Sequence, residues 1–304
     1  MPETTKVILD TDPGVDDAIA ILMAMASPEL ELVGITTVGG NVRLARATRN
    51  ALALLEYAGR QEVPVAKGAA RPLRGRYGYS YSFHGRTGLS RRLPRPSYRA
   101  IDTKAVGFLG QKLQSQPGQY TLVALGPLTN LAHMMMEYPD ALSQSASIVV
   151  MGGAVDCPGN VTPHAEFNFY SDPMAADKVM ASGIPMTLVD LGSSRQTFIT
   201  REEVEGLKST SSIGRLAVQI LKNWFRRDPK RMRFEFYDPL ALAAALRPEL
   251  ITVRQVALGV ENSDQERLGQ SMVESNIGPV SMAERVDAKE FSVLFDDLFC
   301  LNRR

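Results

Sequence analysis

Apolar residues along the chain fall into two alternating kinds of segment. Short runs rich in Val, Ile and Leu predict buried strands, whereas longer segments carry apolar residues at helical spacing. Residues 43–58 are of the second kind, because Leu44, Ala47, Ala51 and Leu54 recur along one helix face. The pattern predicts strands at 6–11, 30–37, 63–66, 120–124, 147–151 and 186–190. It predicts helices at 15–26, 43–58 and 239–246, and another that Asp102 opens as its N-cap.

The order of these elements indicates the fold class. Alternating strands and helices are typical of an open, mostly parallel sheet with helices on both faces. We expect a single α/β domain over residues 1–304, because no repeat, low-complexity segment or linker divides the chain. In such sheets, ligands bind beyond the carboxyl ends of the strands. The functional residues are therefore expected at that edge.

One stretch, the arginine-rich segment of residues 67–100, departs from this alternation. Its arginines, from Arg71 to Arg99, are interleaved with aromatic residues, glycines and serines, and it contains no acidic residue. Long irregular segments inside a compact domain are commonly active-site lids or disordered loops. We interpret this one as a lid loop. A solvated surface loop is an equally open alternative, and RNA binding is a weaker one, because arginines among aromatics also suit bases and phosphates.

Composition narrows the class of protein. The chain has 304 residues, 44% hydrophobic and 22% charged, with a formal net charge of +1. That balance is typical of a globular protein with a sizeable core and gives no reason to expect nucleic acid or a membrane as partner. The longest apolar run, residues 18–26, is too short to span a bilayer. No signal peptide is expected, and two cysteines far apart predict a reducing, cytoplasmic location.

The strongest chemical signal follows the first predicted strand. Four carboxylates fall within eight residues where the strand turns into a helix: Asp10, Asp12, Asp16 and Asp17. Repulsion among them is costly unless a cation lies there. Carboxylate oxygens suit hard cations such as Ca²⁺ or Mg²⁺, and Ca²⁺ accepts the larger, irregular ligand set. The helix dipole is an alternative explanation for Asp16 and Asp17, but it leaves the first two aspartates unexplained.

This motif and several others resemble one known family. Asp10-Thr-Asp-Pro-Gly-Val-Asp-Asp-Ala18 resembles the signature of the inosine-uridine-preferring nucleoside hydrolases, whose fold is a Rossmann-like α/β sheet. Further segments match in the family order across residues 5–240. They are Ile35-Thr-Thr-Val-Gly-Gly-Asn41, Leu125-Gly-Pro-Leu-Thr-Asn130, Met151-Gly-Gly153, Gly159-Asn160, Ala165-Glu-Phe-Asn-Phe-Tyr-Ser-Asp-Pro173 and Tyr237-Asp-Pro239.

The resemblance implies calcium-dependent hydrolysis of the N-glycosidic bond of ribonucleosides to ribose and free base. Carried onto this chain, the family's metal ligands are Asp12, Asp17, the main-chain carbonyl of Leu125, and Asp238. The same ion would hold the attacking water and the ribose 2′ and 3′ hydroxyls. Asp12 would act as the general base in a reaction that passes through an oxocarbenium-like state. Asp238 can also serve as the N-cap of the helix at 239–246.

The resemblance also implies a ribose-binding set around the metal. Bidentate polar contacts to the sugar hydroxyls would supply preference for ribose over deoxyribose. Asp10 is expected to support the site from behind by orienting a ligand or a loop. The residues expected to contact ribose are Asp16, Asn41, Asn160, Glu166 and Asn168.

The leaving-group side departs from part of the family. Tyr237 stands where some members have a histidine that is linked to protonation of the base, while another branch has a stacking aromatic residue there. Because an ordinary phenol has a pKa of ~10, Tyr237 can stack on the base or donate its hydroxyl but is a poor acid. Of three histidines, His84 is the expected catalytic contact on the base side. His133 is expected to be a packed residue, and His164 lies near the sugar motif.

Other interpretations stay open. The basic run at 226–233 indicates solvated charges, an oligomer interface, or a substrate with extra negative charge such as a nucleotide or modified nucleoside. Family members are commonly dimers or tetramers, so a homodimer or homotetramer is expected. A phosphatase of the haloacid-dehalogenase type is disfavoured, because its late acidic pair would be Asp296-Asp297 in a segment that is predicted to be helical. A calcium- and riboside-binding homologue without turnover is a further alternative.

Overall fold

A computed structural model describes residues 4–302 and contains one large sheet and two small ones. The large sheet holds eight strands in the order β10-β11-β6-β5-β4-β1-β2-β3. The small sheets pair β12 with β8 and β7 with β9. In chain order the strands are β1 (Thr5–Thr11), β2 (Leu30–Thr37), β3 (Val65–Lys67), β4 (Thr121–Ala124), β5 (Ser147–Met151), β6 (Met186–Val189), β7 (Phe198–Thr200), β8 (Lys208–Ser209), β9 (Arg233–Glu235), β10 (Ile251–Val260), β11 (Ser271–Val286) and β12 (Leu301–Asn302).

Helices connect the strands. Two short 3₁₀ helices add to them, at Leu142–Gln144 and Pro248–Leu250. The α-helices are α1 (Val15–Ala26), α2 (Leu44–Tyr57), α3 (Tyr81–His84), α4 (Ala105–Ser115), α5 (Thr129–Glu137), α6 (Phe167–Ser171), α7 (Pro173–Met180), α8 (Leu191–Ser194), α9 (Arg201–Gly206), α10 (Ser212–Arg226), α11 (Tyr237–Leu246) and α12 (Ala288–Leu298).

Strand order places a crevice at the middle of the large sheet. Strands β1 to β6 and β11 run parallel, and only β10 is antiparallel to its neighbour. The chain builds outward from β1 through β2 and β3, then returns to the other side of β1 with β4, β5 and β6. Neighbouring strands whose connections diverge leave a gap at their carboxyl ends. The residues that follow β1 and β4 therefore border one site.

Helices cover both faces of the sheet, as predicted. Val7 and Leu9 of β1 belong to a core with α1, α10 and α11, while Ile8 belongs to a second core with α4, α5 and α7. Successive strand residues point to opposite faces, so alternate residues of one buried strand supply both cores. No helix within the described residues is long and apolar enough to cross a membrane.

The predicted elements agree closely with the observed ones. Residues 15–26, 30–37 and 147–151 are confirmed at both ends. The N-cap assigned to Asp102 is wrong: α4 begins at Ala105 behind Lys104, and no side chain caps it. Asp102 is exposed in the connecting loop. The apolar residues with helical spacing begin at Ala105, which is too far along the chain for Asp102 to cap the helix.

Candidate active site

A cavity of about 310 Å³ opens at the carboxyl ends of β1, β4 and β5. Its size suits a small organic ligand. Residues from widely separated parts of the chain meet there, and nine of them are residues that the sequence predicts as site residues or metal ligands. Those nine are Asp16, Asn41, His84, Leu125, Asn160, Glu166, Asn168, Tyr237 and Asp238, and Ser80, Ser82, Phe83, Met151, Val161 and Phe167 complete the lining.

Three buried carboxylates form a compact group at the base of the cavity. Oxygens of Asp16, Asp17 and Asp238 lie within 4.8 Å of one another. The first two belong to the first turn of α1, and Asp238 belongs to the first turn of α11, one residue beyond the start of the helix. Phe236, not Asp238, is the N-cap of α11. Two helix N-termini thus bring the three carboxylates together where their dipoles favour negative charge.

Asp17 is the most firmly held of the three. Its Oδ1 accepts a hydrogen bond from the Thr11 hydroxyl at 2.5 Å, and its Oδ2 accepts one from the Gly14 N–H at 2.8 Å. The Asn41 side chain donates to the same Oδ2 at 3.0 Å. These donors come from the end of β1, the turn and the loop after β2. They fix the position of Asp17 independently of any ligand.

Asp12 lies behind this group in a tight cradle. Its carboxylate accepts hydrogen bonds from the backbone N–H and the side-chain amide of Asn41. A Cβ added at Gly40 would lie 2.0 Å from Asp12 Oδ2, and one at Gly126 would lie 2.9 Å from Oδ1. Both glycines therefore leave room for the carboxylate. The charge of Asp12 contributes to raising the pKa of Asp238, so the fourth aspartate is electrostatically part of the site.

The charges in this group fit a cation. Burial raises the pKa of Asp12, Asp16 and Asp238 well above the usual range, and neighbouring carboxylates raise each further. Asp16 Oδ1 is buried and makes no hydrogen bond with the described residues. A cation bound here would satisfy that oxygen and relieve the repulsion among the carboxylates. The buried acidic group can therefore bind a metal ion.

The main-chain carbonyl of Leu125 borders the same cavity. The Leu125 N–H donates to the Asp10 carbonyl at 2.7 Å, and this bond continues the β1–β4 pairing by one residue. The Asn168 side-chain amide donates to the Leu125 carbonyl at 2.9 Å and to the Met151 carbonyl at 3.2 Å. A carbonyl oxygen has a second lone pair. Asn168 thus orients the Leu125 carbonyl without using up its capacity to bind a ligand.

Glu166 forms the opposite edge of the cavity as the N-cap of α6. Its carboxylate accepts backbone N–H bonds from Gly153 at 3.0 Å, Asn168 at 2.8 Å and Phe169 at 3.1 Å. Burial raises the pKa of Glu166 to about 7, although these three donors oppose the shift. Asn160 is exposed at the rim, in a turn whose backbone N–H donates to the Ala165 carbonyl.

His84 lies at the end of α3, buried against the start of α1. Its Nδ1 accepts a hydrogen bond from the Val15 N–H at 3.0 Å. Burial, together with the charges of Arg231 and Arg227, lowers the pKa of His84 to about 3. The ring is therefore neutral with its proton on Nε2. The 3.7 Å separation between Nδ1 and Asp16 Oδ1 is accordingly a contact of a neutral ring, not an ion pair.

Tyr237 lines the cavity and is half-buried. The hydroxyl donates to Glu235 Oε2, and Arg233 donates to Glu235 Oε1 at 2.6 Å. Burial and the adjacent Glu235 charge raise the pKa of Tyr237. Proton loss from this phenol is thus even less favourable than from an ordinary tyrosine.

The arginine-rich segment forms one wall of the cavity. It is tied to the starts of α5 and α7 at several points: the Ala69 N–H donates to Asn130 at 2.8 Å, the Leu73 N–H to Asp172 at 2.8 Å, and Tyr77 shares a 2.7 Å hydrogen bond with Thr129. Ser80, Ser82, Phe83 and His84 then face the cavity. The part of the segment before α3 is therefore fastened to the starts of α5 and α7.

Two arginines of the basic run hold this wall from the other side. Arg227 donates to the Phe83 carbonyl at 3.0 Å, and Arg231 donates to the Ser82 carbonyl at 3.1 Å. Arg231 also lies 4.1 Å from the centre of the Trp224 ring. Arg227 is exposed and Arg231 is half-buried, so the interpretation of the run as solvated charges stays a prediction, although these two also bind the backbone. Their guanidinium groups satisfy carbonyls at the end of α3, which a helix terminus leaves without partners.

Asp10 lies beneath the site at the end of β1. It accepts hydrogen bonds from Thr36 and, at 2.7 Å, from Asn130, the residue that also holds Ala69. Burial raises the pKa of Asp10 to about 7. Its partner Asn130 links the end of β1 to the wall segment, and the supporting role of Asp10 stays a prediction.

Several structural partners escaped the sequence reasoning. Their signals were weak, because each is a common residue type whose role depends on a distant neighbour. Asn130, Gly40 and Gly126 stood in motifs that were already recognised, and the side chain of Asn130 could have been singled out there. The others are Gly40, Gly126, Arg227, Arg231 and Glu235.

Comparison with known proteins agrees with this geometry. Residues 7–293 match the family model described as inosine-uridine preferring nucleoside hydrolase. Uridine nucleosidase 1 of Arabidopsis thaliana is 40% identical over 84% of this chain and 78% of its own length. A pyrimidine-specific ribonucleoside hydrolase of Photobacterium profundum is 38% identical over 88% of each chain. The solved structure of a plant nucleoside hydrolase, 36% identical, has a TM-score of 0.91 over 97% of this chain and 99% of that one.

Fold, site and likenesses together define a hydrolase that acts on N-glycosyl compounds. Within that class, the chain belongs to the inosine-uridine preferring nucleoside hydrolase family. The resemblance inferred from the motifs is confirmed, as is the open, mostly parallel sheet in a single domain.

Proposed function

We propose that this enzyme hydrolyses the N-glycosidic bond of ribonucleosides in a calcium-dependent reaction. The observation that carries the proposal is the buried group of Asp16, Asp17 and Asp238 at the base of a cavity of about 310 Å³. Three carboxylates in one buried place fit a hard, oxygen-binding cation better than a soft one. Asp12 and the Leu125 carbonyl complete the ligand set that we propose for Ca²⁺.

When bound, the ion would acidify water and hold ribose hydroxyls. Asp12 is the proposed general base. Its carboxylate is buried, and burial together with Asp17 raises its pKa, which suits a group that must take a proton. Asn41 holds both Asp12 and Asp17 through its side-chain amide. The base and its neighbour are therefore fixed relative to each other before substrate arrives.

The ribose ring would lie between the acidic group and α6. Asp16, Asn41, Asn160, Glu166 and Asn168 all line the cavity, and we propose that they bind the sugar hydroxyls. Glu166 is already held by three backbone donors, so it can present its remaining lone pairs in a fixed direction. A deoxyribose would leave buried polar groups unpaired, which disfavours it.

The nucleobase would lie between α3 and the start of α11. There the cavity is lined by Phe83, His84 and Tyr237. A neutral His84 presents an Nε2–H donor, and the Tyr237 ring presents a stacking face. We propose pyrimidine ribonucleosides, uridine first, as preferred substrates. The support is that the relatives of 40% and 38% identity are named for uridine and for pyrimidine ribonucleosides.

A panel of ribonucleosides tests this function. Free ribose would be measured as reducing sugar from uridine, cytidine, inosine and adenosine, with and without a calcium chelator. We expect release of ribose, fastest from uridine, and its loss on chelation until calcium is restored. Phosphate release from a phosphomonoester serves as the negative control. Hydrolysis of none of the four nucleosides would refute the proposal and favour a riboside-binding protein without turnover.

We also propose a cellular location and an oligomeric state. The cysteines, Cys157 and Cys300, are both free, which supports a cytoplasmic location. A homodimer or homotetramer is proposed on the likeness to the family alone, with the nucleoside as the only small-molecule partner and neither nucleic acid nor membrane involved. Arg227 and Arg231 are engaged with backbone carbonyls, so they do not support a phosphorylated or otherwise anionic riboside.

A further inference from the structure

Three alternate residues lead from the surface to the nucleobase end of the cavity. Arg233 and Glu235 lie on β9, and Tyr237 begins α11. The side chain of Arg233 is 51% exposed and that of Glu235 is 14% exposed, while Tyr237 lines the cavity. Arg233 donates to Glu235 Oε1 at 2.6 Å, and the Tyr237 hydroxyl donates to Glu235 Oε2. The row connects an exposed cation to a phenol in the site.

The chemistry of these groups fixes the direction of the last hydrogen bond. An ionised carboxylate only accepts, and a phenol has a single O–H to give. Because the Tyr237 proton is directed at Glu235, the phenol oxygen has only lone pairs left for any other partner. Arg233 pairs with Oε1 of the same carboxylate, the oxygen that the Tyr237 hydroxyl does not use.

We propose that Glu235 is a positioning residue that makes the Tyr237 hydroxyl a hydrogen-bond acceptor toward the nucleobase. The inference rests on the proposed ribonucleoside hydrolysis and deepens it. A fixed acceptor favours a base that presents an N–H, such as uracil at N3, and disfavours one that presents a lone pair there, such as cytosine. The hydroxyl accordingly selects the base and does not protonate it.

This role separates Glu235 from a residue that only stabilises the fold. Removing the carboxylate frees the hydroxyl to rotate, so that it can donate to cytosine N3 as well as accept from uracil N3–H. We therefore expect kcat/KM to fall for uridine and to rise for cytidine. A general loss of folding, or a displaced Tyr237, would lower kcat/KM for both substrates together.

The experiment measures kcat/KM for uridine and for cytidine in the calcium-loaded enzyme. We expect the wild type to prefer uridine. Glu235→Ala should lower the uridine-to-cytidine ratio by about tenfold, the value of one hydrogen bond in discrimination, with cytidine rising. Tyr237→Phe should lower the ratio as far, and the double variant should show no further loss. Glu235→Gln keeps an acceptor oxygen and should retain most of the ratio.

Arg233→Ala is the matched control, because it removes the exposed partner and leaves the bond between Glu235 and Tyr237. We expect its ratio to stay near the wild-type value. A wild type that hydrolyses uridine but keeps its ratio in Glu235→Ala would overturn the inference. Should that variant fail to fold, an unchanged ratio in Tyr237→Phe would overturn it equally. A wild type without activity on any ribonucleoside would instead defeat the proposed function.

Discussion

The Nδ1 atom of His84 accepts a hydrogen bond from the Val15 backbone N–H at 3.0 Å. Val15 is the first residue of α1, and the N-cap Gly14 has no side chain to offer the free N–H groups of that turn. His84, from the wall segment, supplies the missing acceptor. One ring therefore joins the wall of the cavity to the helix that carries Asp16 and Asp17.

This bond predicts a pH-dependent contribution to stability. The pKa of His84 is lowered to about 3 in the folded protein, against about 6.5 when unfolded. Below pH 6.5 the unfolded chain binds the proton more readily, so folding loses about 1.4 kcal/mol per pH unit from this group until pH nears 3. His84→Gln keeps an acceptor but cannot titrate. Denaturant unfolding of both proteins between pH 7 and 4 should show the wild type losing more stability. The exposed His164→Gln should behave like the wild type, and parallel curves for His84→Gln would contradict the assignment.

Replacing Asp12 by Asn should stop catalysis while preserving the fold. The amide cannot take a proton from water, and general bases contribute about 10²- to 10⁴-fold to rate. We expect a fall of that size in kcat for uridine with an unchanged circular dichroism spectrum. Asp140→Asn, at an exposed position, is the control. Near-normal turnover in Asp12→Asn would show that another group activates the water.

Calcium should stabilise the protein through the acidic group. A ligand that binds only the folded state at a hundred times its Kd adds about 2.7 kcal/mol, which thermal unfolding detects. Asp238→Asn removes one of the three clustered carboxylates and should abolish most of that gain. Without calcium, the uncharged variant should be more stable than the wild type, because burial and the neighbouring carboxylates raise the pKa of Asp238. A wild-type Tm that does not change when calcium is added would refute calcium binding by the acidic group.

Gly40→Ala should disturb the cradle of Asp12. The new Cβ would lie 2.0 Å from Asp12 Oδ2, and hydrogen bonds from Asn41 hold that carboxylate in place. We expect a destabilisation of about 1–3 kcal/mol and at least a tenfold loss of kcat, since a small misplacement of a reacting group is costly. Gly78→Ala has nothing within 4 Å of its Cβ and should leave both quantities unchanged. Equal effects of the two substitutions would show that crowding of Asp12 is not the cause of the loss.

Arg231→Ala should loosen the wall at α3. Its guanidinium donates to the carbonyls of Ser82 and Phe83 and lies over Trp224. We expect KM for uridine to rise about tenfold, as expected for one or two charged hydrogen bonds, with a smaller change in kcat. Trp224 is the single tryptophan, so its emission should shift as well. Arg226→Ala, on the exposed end of α10, is the control. An unchanged KM together with unchanged emission would show that Arg231 does not hold the wall.

The sequence determined the architecture and the acidic centre. Strands 30–37 and 147–151 and helix 15–26 follow from local hydrophobic periodicity, which depends on near neighbours and can be read along the chain. The cluster at Asp10 to Asp17 is also local, so its need for a cation follows from residue types and spacing alone. Motif order then indicated that Asp238, far along the chain, joins the same site.

Only the tertiary structure decided which groups touch. It placed Asp16 with Asp17 and Asp238, turned the Tyr237 hydroxyl toward Glu235, and set Arg231 against the wall segment. Such contacts join residues that are far apart in sequence or lie on different faces of one turn. Their hydrogen-bond directions depend on distances of a few tenths of an ångström, and residue types and spacing along a chain do not specify distances of that size.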